Sequence, residues 1–201
     1  MNEQIELPAP DREGGVPLGA ALEERRSVRD FAARELSLES ISQLLWAAQG
    51  VTDPRGFRTA PSAGGLYPLE TFLVVGEVNG LDPGLYHYEV GDHALAMFLE
   101  GDLRNELASA SLGQAAVADG AVVIVFAAEY ERTAVRYGER ARRYVHMEIG
   151  HAGQNLYLQA VSLGLGTVAI GAFDDAAVSR VLQLPEELAP LYIMPVGFPS
   201  E

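Results

Sequence analysis

The sequence predicts one domain of the α/β or α+β class. Of its 201 residues 48% are hydrophobic and they are spread evenly, which suits one core and is awkward for two. Short apolar runs of strand length alternate with segments whose apolar residues recur every three to four positions. No internal repeat, low-complexity stretch or shift in composition marks a boundary, so residues 1–19 read as an extended arm and 20–201 as a single domain.

The arm is rich in Pro, Gly and charge, and a short helix is expected from about Ala20 into an arginine cluster. Ser37 caps a second helix, in which Leu38, Ile41, Leu44, Leu45 and Ala48 form one stripe and Gly50 supplies the stop. Residues 51–68 hold three prolines within a glycine-rich loop. Strands are predicted at Thr71–Val75, Leu85–Tyr88 and Ala94–Leu99, the last two joined at Gly91–Asp92. A helix over Asp102–Ser111 and a strand over Ala121–Ala127 follow. Ala141–Leu163 is the longest helical segment and is apolar nearly all round, which predicts burial, in part against a second subunit. Thr167–Ala172 and Leu191–Val196 complete the strands, with a helix at Asp175–Leu182.

Composition excludes several classes of function. The net charge is −14, against the basic surface that nucleic acids and anionic membranes require. There is no cysteine and no lysine, so thiolate, disulfide, iron–sulfur and Schiff-base chemistry are absent. No apolar run nears the roughly 20 residues of a membrane span, and the opening MNEQIELPAPDREGG lacks the pattern of a signal peptide. A cytoplasmic protein is expected.

Residues 25–31 read RRSVRDF, the densest positive charge in an acidic chain. Arg25 and Arg29 share a face if the helix continues, with Ser27 between them, and guanidinium groups suit a phosphate. Ion pairing with Glu23, Glu24 and Asp30 on a solvated face is the competing reading. Residues 58–70, RTAPSAGGLYPLE, combine Pro61 and Pro68 with Gly64 and Gly65. They can offer main-chain groups to a planar ligand, or simply make a turn. In LGLGTVAIGAFD, residues 163–174, small residues let N–H groups meet a ligand, unless this is a plain buried strand. His146 and His151 lie five apart and diverge on a helix, so no metal site is predicted. RYGERARRY, residues 136–144, is a solvated helix start, a second anion site, or the means of placing Tyr137 as an acid.

Taken together, RRSVRDF, PSAGGLYP and LGLGTVAIGAF resemble, in order and spacing, the nitroreductase-like flavoproteins, and most closely their SagB-type branch, which includes azoline dehydrogenases. The likeness runs from about Leu22 to Pro199. It implies an α+β fold with a central, mostly antiparallel sheet flanked by helices, in an intertwined homodimer that holds FMN between subunits. Carried over, Arg25 would meet the FMN phosphate, Ser27 the ribityl or phosphate region and Arg29 the pyrimidine edge, with Arg26 a lesser contributor. Pro61, Ser62, Ala63, Gly65 and Tyr67 would line the flavin from the partner subunit. Ile170, Gly171 and Ala172 would lie against the ring, with the Gly171 N–H aimed at the hydride-accepting nitrogen. The implied activity is ping-pong reduction of nitroaromatic or quinone acceptors by NADH or NADPH. Azoline oxidation with Tyr137 assisting, or a non-catalytic partner subunit, are the alternatives. Relatives complete the phosphate site with a C-terminal basic residue, whereas PVGFPSE has none, so either Arg140 or Arg143 substitutes or the phosphate is held more weakly. Where azoline dehydrogenases carry Lys-Tyr, this chain has Arg136-Tyr137, and Arg is no base at working pH.

Overall fold

The computed structural model describes residues 4–200. In chain order its elements are β1 (Gln4–Glu6), α1 (Leu18–Glu24), β2 (Phe31–Ala32), α2 (Leu38–Gln49), β3 (Leu69–Val75), β4 (Gly84–Glu89) and β5 (Ala94–Glu100). Then come α3 (Arg104–Ala110), α4 (Ala115–Asp119), β6 (Val122–Glu129), α5 (Tyr130–Tyr137), α6 (Ala141–Ser162), β7 (Gly166–Thr167), α7 (Asp175–Val181) and β8 (Leu188–Pro199).

The strands form one sheet in the order β1-β5-β4-β3-β6-β8-β2, with β7 also on β8, and every strand pair is antiparallel. At its centre Phe72 faces Val125 and Leu73 faces Ile124. Because side chains alternate across a strand, Leu73, Val75, Tyr86, Ile124 and Phe126 join the core that α2 and α6 cover. Phe72, Val74, Leu85, Val123 and Val125 join the core shared with α3, α4 and α7. Burial on both faces is why β6 reads VVIVFAA rather than alternating with polar residues.

Helix α2 obeys its sequence signals. The Ser37 hydroxyl accepts the Ser40 N–H at 3.2 Å and the helix stops at Gly50. Gly50 is there for space, since its φ is −62° and a Cβ would stand 2.7 Å from the Trp46 carbonyl oxygen.

Four expectations are corrected. Helix α1 ends at Glu24 and does not enter the arginine cluster, because Ser27 pairs with Thr167 and Val28 N–H bonds to Thr167 O at 2.9 Å. Arg25 and Arg29 therefore share no helical face. Residues 136–144 are not one helix start: α5 ends at Tyr137, a tight turn follows, and α6 begins at Ala141. The strand predicted over Thr167–Ala172 shrinks to β7 plus a bridge between Ile170 and Ile193. Helix α6 is not buried all round in this chain: His146, Met147, Gly150 and His151 are exposed, Met147 to 53%. The arm, for its part, sends β1 onto the edge of β5. Among the described residues no helix is long and apolar enough to cross a membrane.

Candidate functional site

The arginine segment is laid across the end of α6. Gly166 makes the crossing possible, since a Cβ there would sit 2.6 Å from the Val28 Cβ. Arg25 is half-buried, its guanidinium 5.1 Å over the Tyr157 ring. The Ser27 hydroxyl meets the Tyr157 hydroxyl at 3.0 Å, and Tyr157 Oη also accepts the Ala169 N–H at 2.8 Å. One tyrosine thus ties the arginine segment to the chain that leads to Gly171.

No ion pair joins Arg25, Arg26 or Arg29 to Glu23, Glu24 or Asp30 among the described residues, whereas Arg55, Arg104 and Arg132 are all paired with carboxylates. Arg26 is separate from the other two: it folds back and donates to the carbonyls of Glu23 and Arg25 at 2.7 and 2.8 Å. In a chain with twice as many acidic as basic residues (28 against 14), Arg25 and Arg29 stay free to take an external anion.

Beyond Tyr157, Ile170 exchanges both backbone hydrogen bonds with Ile193, at 2.9 and 3.0 Å. In an antiparallel pair the neighbouring residues then face away. Gly171 and Ala172 are exposed, and the Ala172 carbonyl accepts from Gln114 Nε2 at 3.0 Å. The Gly171 N–H is left outside the ladder.

The glycine loop is built elsewhere. Gly64, Gly65 and Tyr67 all have positive φ, at 65°, 66° and 48°, so the turn is tightly wound and expensive for ordinary residues. The Ser62 hydroxyl accepts the Tyr67 N–H at 2.9 Å, and the Tyr67 hydroxyl accepts the Arg58 N–H at 3.2 Å. Arg132 of α5 donates to the Tyr67 carbonyl at 2.8 Å while paired with Glu70 and Glu129. Tyr137 and Arg136 pack on the turn: a Cβ at Gly64 would lie 2.8 Å from the Tyr137 hydroxyl and 3.0 Å from an Arg136 nitrogen. Pro61, Gly64 and Gly65 are exposed and Ser62, Ala63 and Tyr67 half-buried, so the loop presents a face.

Behind the loop stands Glu148 of α6, 2% exposed. Burial pushes its carboxyl up to about 7, opposed by the Ser62 hydroxyl and the charges of Arg58 and Arg132. Its Oε1 has no hydrogen-bond partner, nor does Nε2 of the neighbouring Gln49, whose Oε1 accepts from Arg58 at 3.0 Å.

The predicted residues thus fall into two groups at opposite ends of α6. Arg25, Ser27 and the Ile170–Ala172 segment belong with Tyr157. Pro61–Tyr67 and Tyr137 belong with Glu148, nine residues earlier, roughly 13 Å at 1.5 Å per residue. Arg140 and Arg143 stand at the loop end of α6, lining an exposed hollow with Arg142 and His146, and so cannot complete the Arg25 cluster of their own chain. Sequence reasoning missed Tyr157, Arg58, Arg132 and Glu148. Glu148 did carry a signal, as a carboxylate inside the helix read as buried. The others are half-buried polar residues, and a polar side chain's partner is not marked by any local pattern.

The chain is similar to known proteins of one family. The Nitroreductase family matches residues 22–198. A nitroreductase-family protein of Methanocaldococcus jannaschii is 46% identical over 197 residues, covering 98% of each chain. A chain of the Escherichia coli microcin synthetase McbBCD complex superposes with a TM-score of 0.79 at 25% identity, covering 96% of this chain and 77% of that one. The NADPH:FMN oxidoreductase of Vibrio harveyi superposes at 0.67 with 26% identity, covering 92% and 69%. An antiparallel sheet flanked by helices, carrying the three motifs in order and matched from residue 22 to 198, makes this chain a member of the nitroreductase family of flavin oxidoreductases, with relatives in its microcin-processing, SagB-like branch.

Proposed function

We propose that the protein binds FMN between two copies of the chain and uses it to pass electrons from NADH or NADPH to a small electron-poor acceptor such as a nitroaromatic or quinone. The observation that carries this reading is the division of the site. Each copy offers carboxylate-free arginines with an exposed Gly171 N–H at one end of α6, and a glycine loop at the other. A second copy packed on the exposed Met147 face of α6 brings one copy's loop to the other's arginines.

In this reading Arg25 holds the phosphate, Ser27 and Arg29 the more distal groups, and Arg26 acts chiefly on its own backbone. Ile170, Gly171 and Ala172 form the wall on the arginine side, and Pro61, Ser62, Ala63, Gly65 and Tyr67 the wall supplied by the second copy. FMN, when bound, supplies the hydride chemistry, and the protein supplies position, electrostatics and exclusion of water. Gly171 offers its N–H where negative charge develops. No side-chain base is needed, which suits a chain without cysteine or lysine. A cytoplasmic setting fits such a reaction.

A second reading, dehydrogenation of an azoline in a modified peptide, draws on the likeness to the microcin synthetase chain and on Tyr137 lying against the glycine loop. Arg136 beside it stays protonated and serves as a charge, not a base. The deciding experiment is the absorption spectrum of the purified protein, followed by anaerobic addition of NADH or NADPH. A yellow protein bleached by either nucleotide supports the first reading. Bound flavin that neither nucleotide reduces, yet a thiazoline peptide does, supports the second. A colourless protein that takes up no FMN overturns both.

A further inference from the structure

A second gathering of arginines is used by neither reading. Arg136, Arg140, Arg142 and Arg143, four of the chain's 14 basic residues, fall within a single stretch around the start of α6. Arg140, Arg142 and Arg143 line an open hollow of about 700 Å³ together with Glu139, His146 and Met147. All three arginines are exposed, and among the described residues none of them pairs with a carboxylate, Glu139 included. A solvated surface network interleaves the two signs, whereas here one sign is collected and left unpaired.

Part of the hollow is braced. The Arg142 guanidinium lies 4.8 Å over the Tyr130 ring, and the Tyr130 hydroxyl meets His146 Nε2 at 2.7 Å. The side chains of Arg140 and Arg143 make no such contact among the described residues. The first turn of α6 holds no acidic residue, so the helix dipole adds to this positive field instead of being offset.

The hollow is also close to the glycine loop. Arg136 and Tyr137 stand where a Cβ of Gly64 would be, and the Tyr137 ring meets that of Tyr144, in the first turn of α6, edge-on at 5.0 Å. One pair of rings therefore separates the loop from the arginines. A nicotinamide dinucleotide with its nicotinamide on the flavin extends its adenosine half out of the cleft. NADPH differs from NADH only by a 2′-phosphate on that half, and Arg is the side chain suited to accommodate it.

We propose that Arg140 and Arg143 bind the 2′-phosphate of NADPH, with Arg142 adding to the positive field, so that the protein takes NADPH in preference to NADH. This rests on the FMN reading above and names the electron donor of that same site.

The test is the rate of FMN reduction against NADPH or NADH concentration, followed anaerobically by stopped-flow absorbance of the full-length holoprotein. Wild type is compared with the double variants Arg140→Ala/Arg143→Ala and Arg140→Lys/Arg143→Lys. Calorimetric titration with adenosine 2′,5′-bisphosphate and with adenosine 5′-monophosphate adds a readout without redox chemistry. Wild type is expected to bind NADPH and the bisphosphate at least roughly tenfold more tightly than NADH and the monophosphate. The alanine variant abolishes that preference and the lysine variant restores part of it. High salt shrinks it in wild type, because exposed charges are screened. If the alanine variant does not fold, the wild-type preference and its salt dependence decide. A wild type that holds both members of each pair equally overturns the assignment and leaves the flavin reading intact. So does an alanine variant that keeps the preference, or one that loses FMN or the dimer, which gives these arginines to the flavin phosphate or to the second copy. A protein that takes up no FMN overturns the flavin reading, and this assignment with it.

Discussion

Ser27 and Tyr157, 130 residues apart, are joined hydroxyl to hydroxyl at 3.0 Å, and the same Tyr157 oxygen accepts the Ala169 N–H. This contact holds the arginine segment against the end of α6 and sets where the Gly171 wall begins. Tyr157→Phe keeps the ring under Arg25 and removes both bonds. The Ala169 N–H then lacks a partner, and the fold should lose about 1–2 kcal/mol by thermal or urea unfolding. FMN affinity should fall together with stability. Unchanged affinity would show that this tie is not part of the site.

Gly64 has a φ of 65°, and Tyr137 and Arg136 already fill the place of its Cβ. Gly64→Ala is expected to cost about 1–2 kcal/mol from backbone strain alone and to push Tyr137 off the loop. FMN titration should show at least tenfold weaker binding in a protein whose circular dichroism is unchanged.

Met147 lies on the exposed stripe of α6 and is 53% exposed. An apolar side chain so placed gains by being covered. In the proposed two-copy site, Met147→Asp should shift the protein from dimer to monomer in sedimentation and release its flavin. A monomer that retains FMN would sink the two-copy site.

His87 bonds to Glu70 at 2.9 Å and to Glu89 at 3.0 Å, and these carboxylates, Glu70 first, raise its pKa. A raised histidine contributes stability that is fully present below its unfolded value of about 6.5. That stability is lost as pH rises through the folded value. Glu148, pushed up to about 7 by burial, works in the same direction: its contribution is full below about 4.3 and is lost on passing about 7. The melting temperature of the apoprotein should therefore decline between pH 6 and pH 8.5. Glu148→Gln should remove on the order of 1 kcal/mol of that decline, and His87→Gln a smaller part. An apoprotein whose melting temperature is flat over this range would refute both assignments.

Elements whose signals are local were legible in the chain itself. The Ser37 cap and Gly50 stop bounded α2, period-two and continuous apolar runs located β3 to β6, and the spacing of apolar residues marked α6 to within a residue. Three motifs in order pointed to the family, one recording concentrated positive charge and two recording main-chain approaches that small residues allow. Contacts between distant segments were not legible. α1 stops at Glu24 because Thr167 offers Ser27 and Val28 a backbone partner, a competition that helix propensity cannot register. The short helices α4 and α5 and the strands β1 and β2 gain their stability from what they pack or pair with.

Sequence alone determined the chemistry available: arginine but no lysine or cysteine, a core for one domain, and glycines where a backbone must come close. Only the tertiary structure decided how these are shared out. It left Arg25 and Arg29 without carboxylate partners, set Glu148 behind Ser62, and separated the two walls along α6. The physical reason is that pairing, burial and distance belong to residues brought together in space, and no local pattern encodes the energy of a contact across a hundred positions.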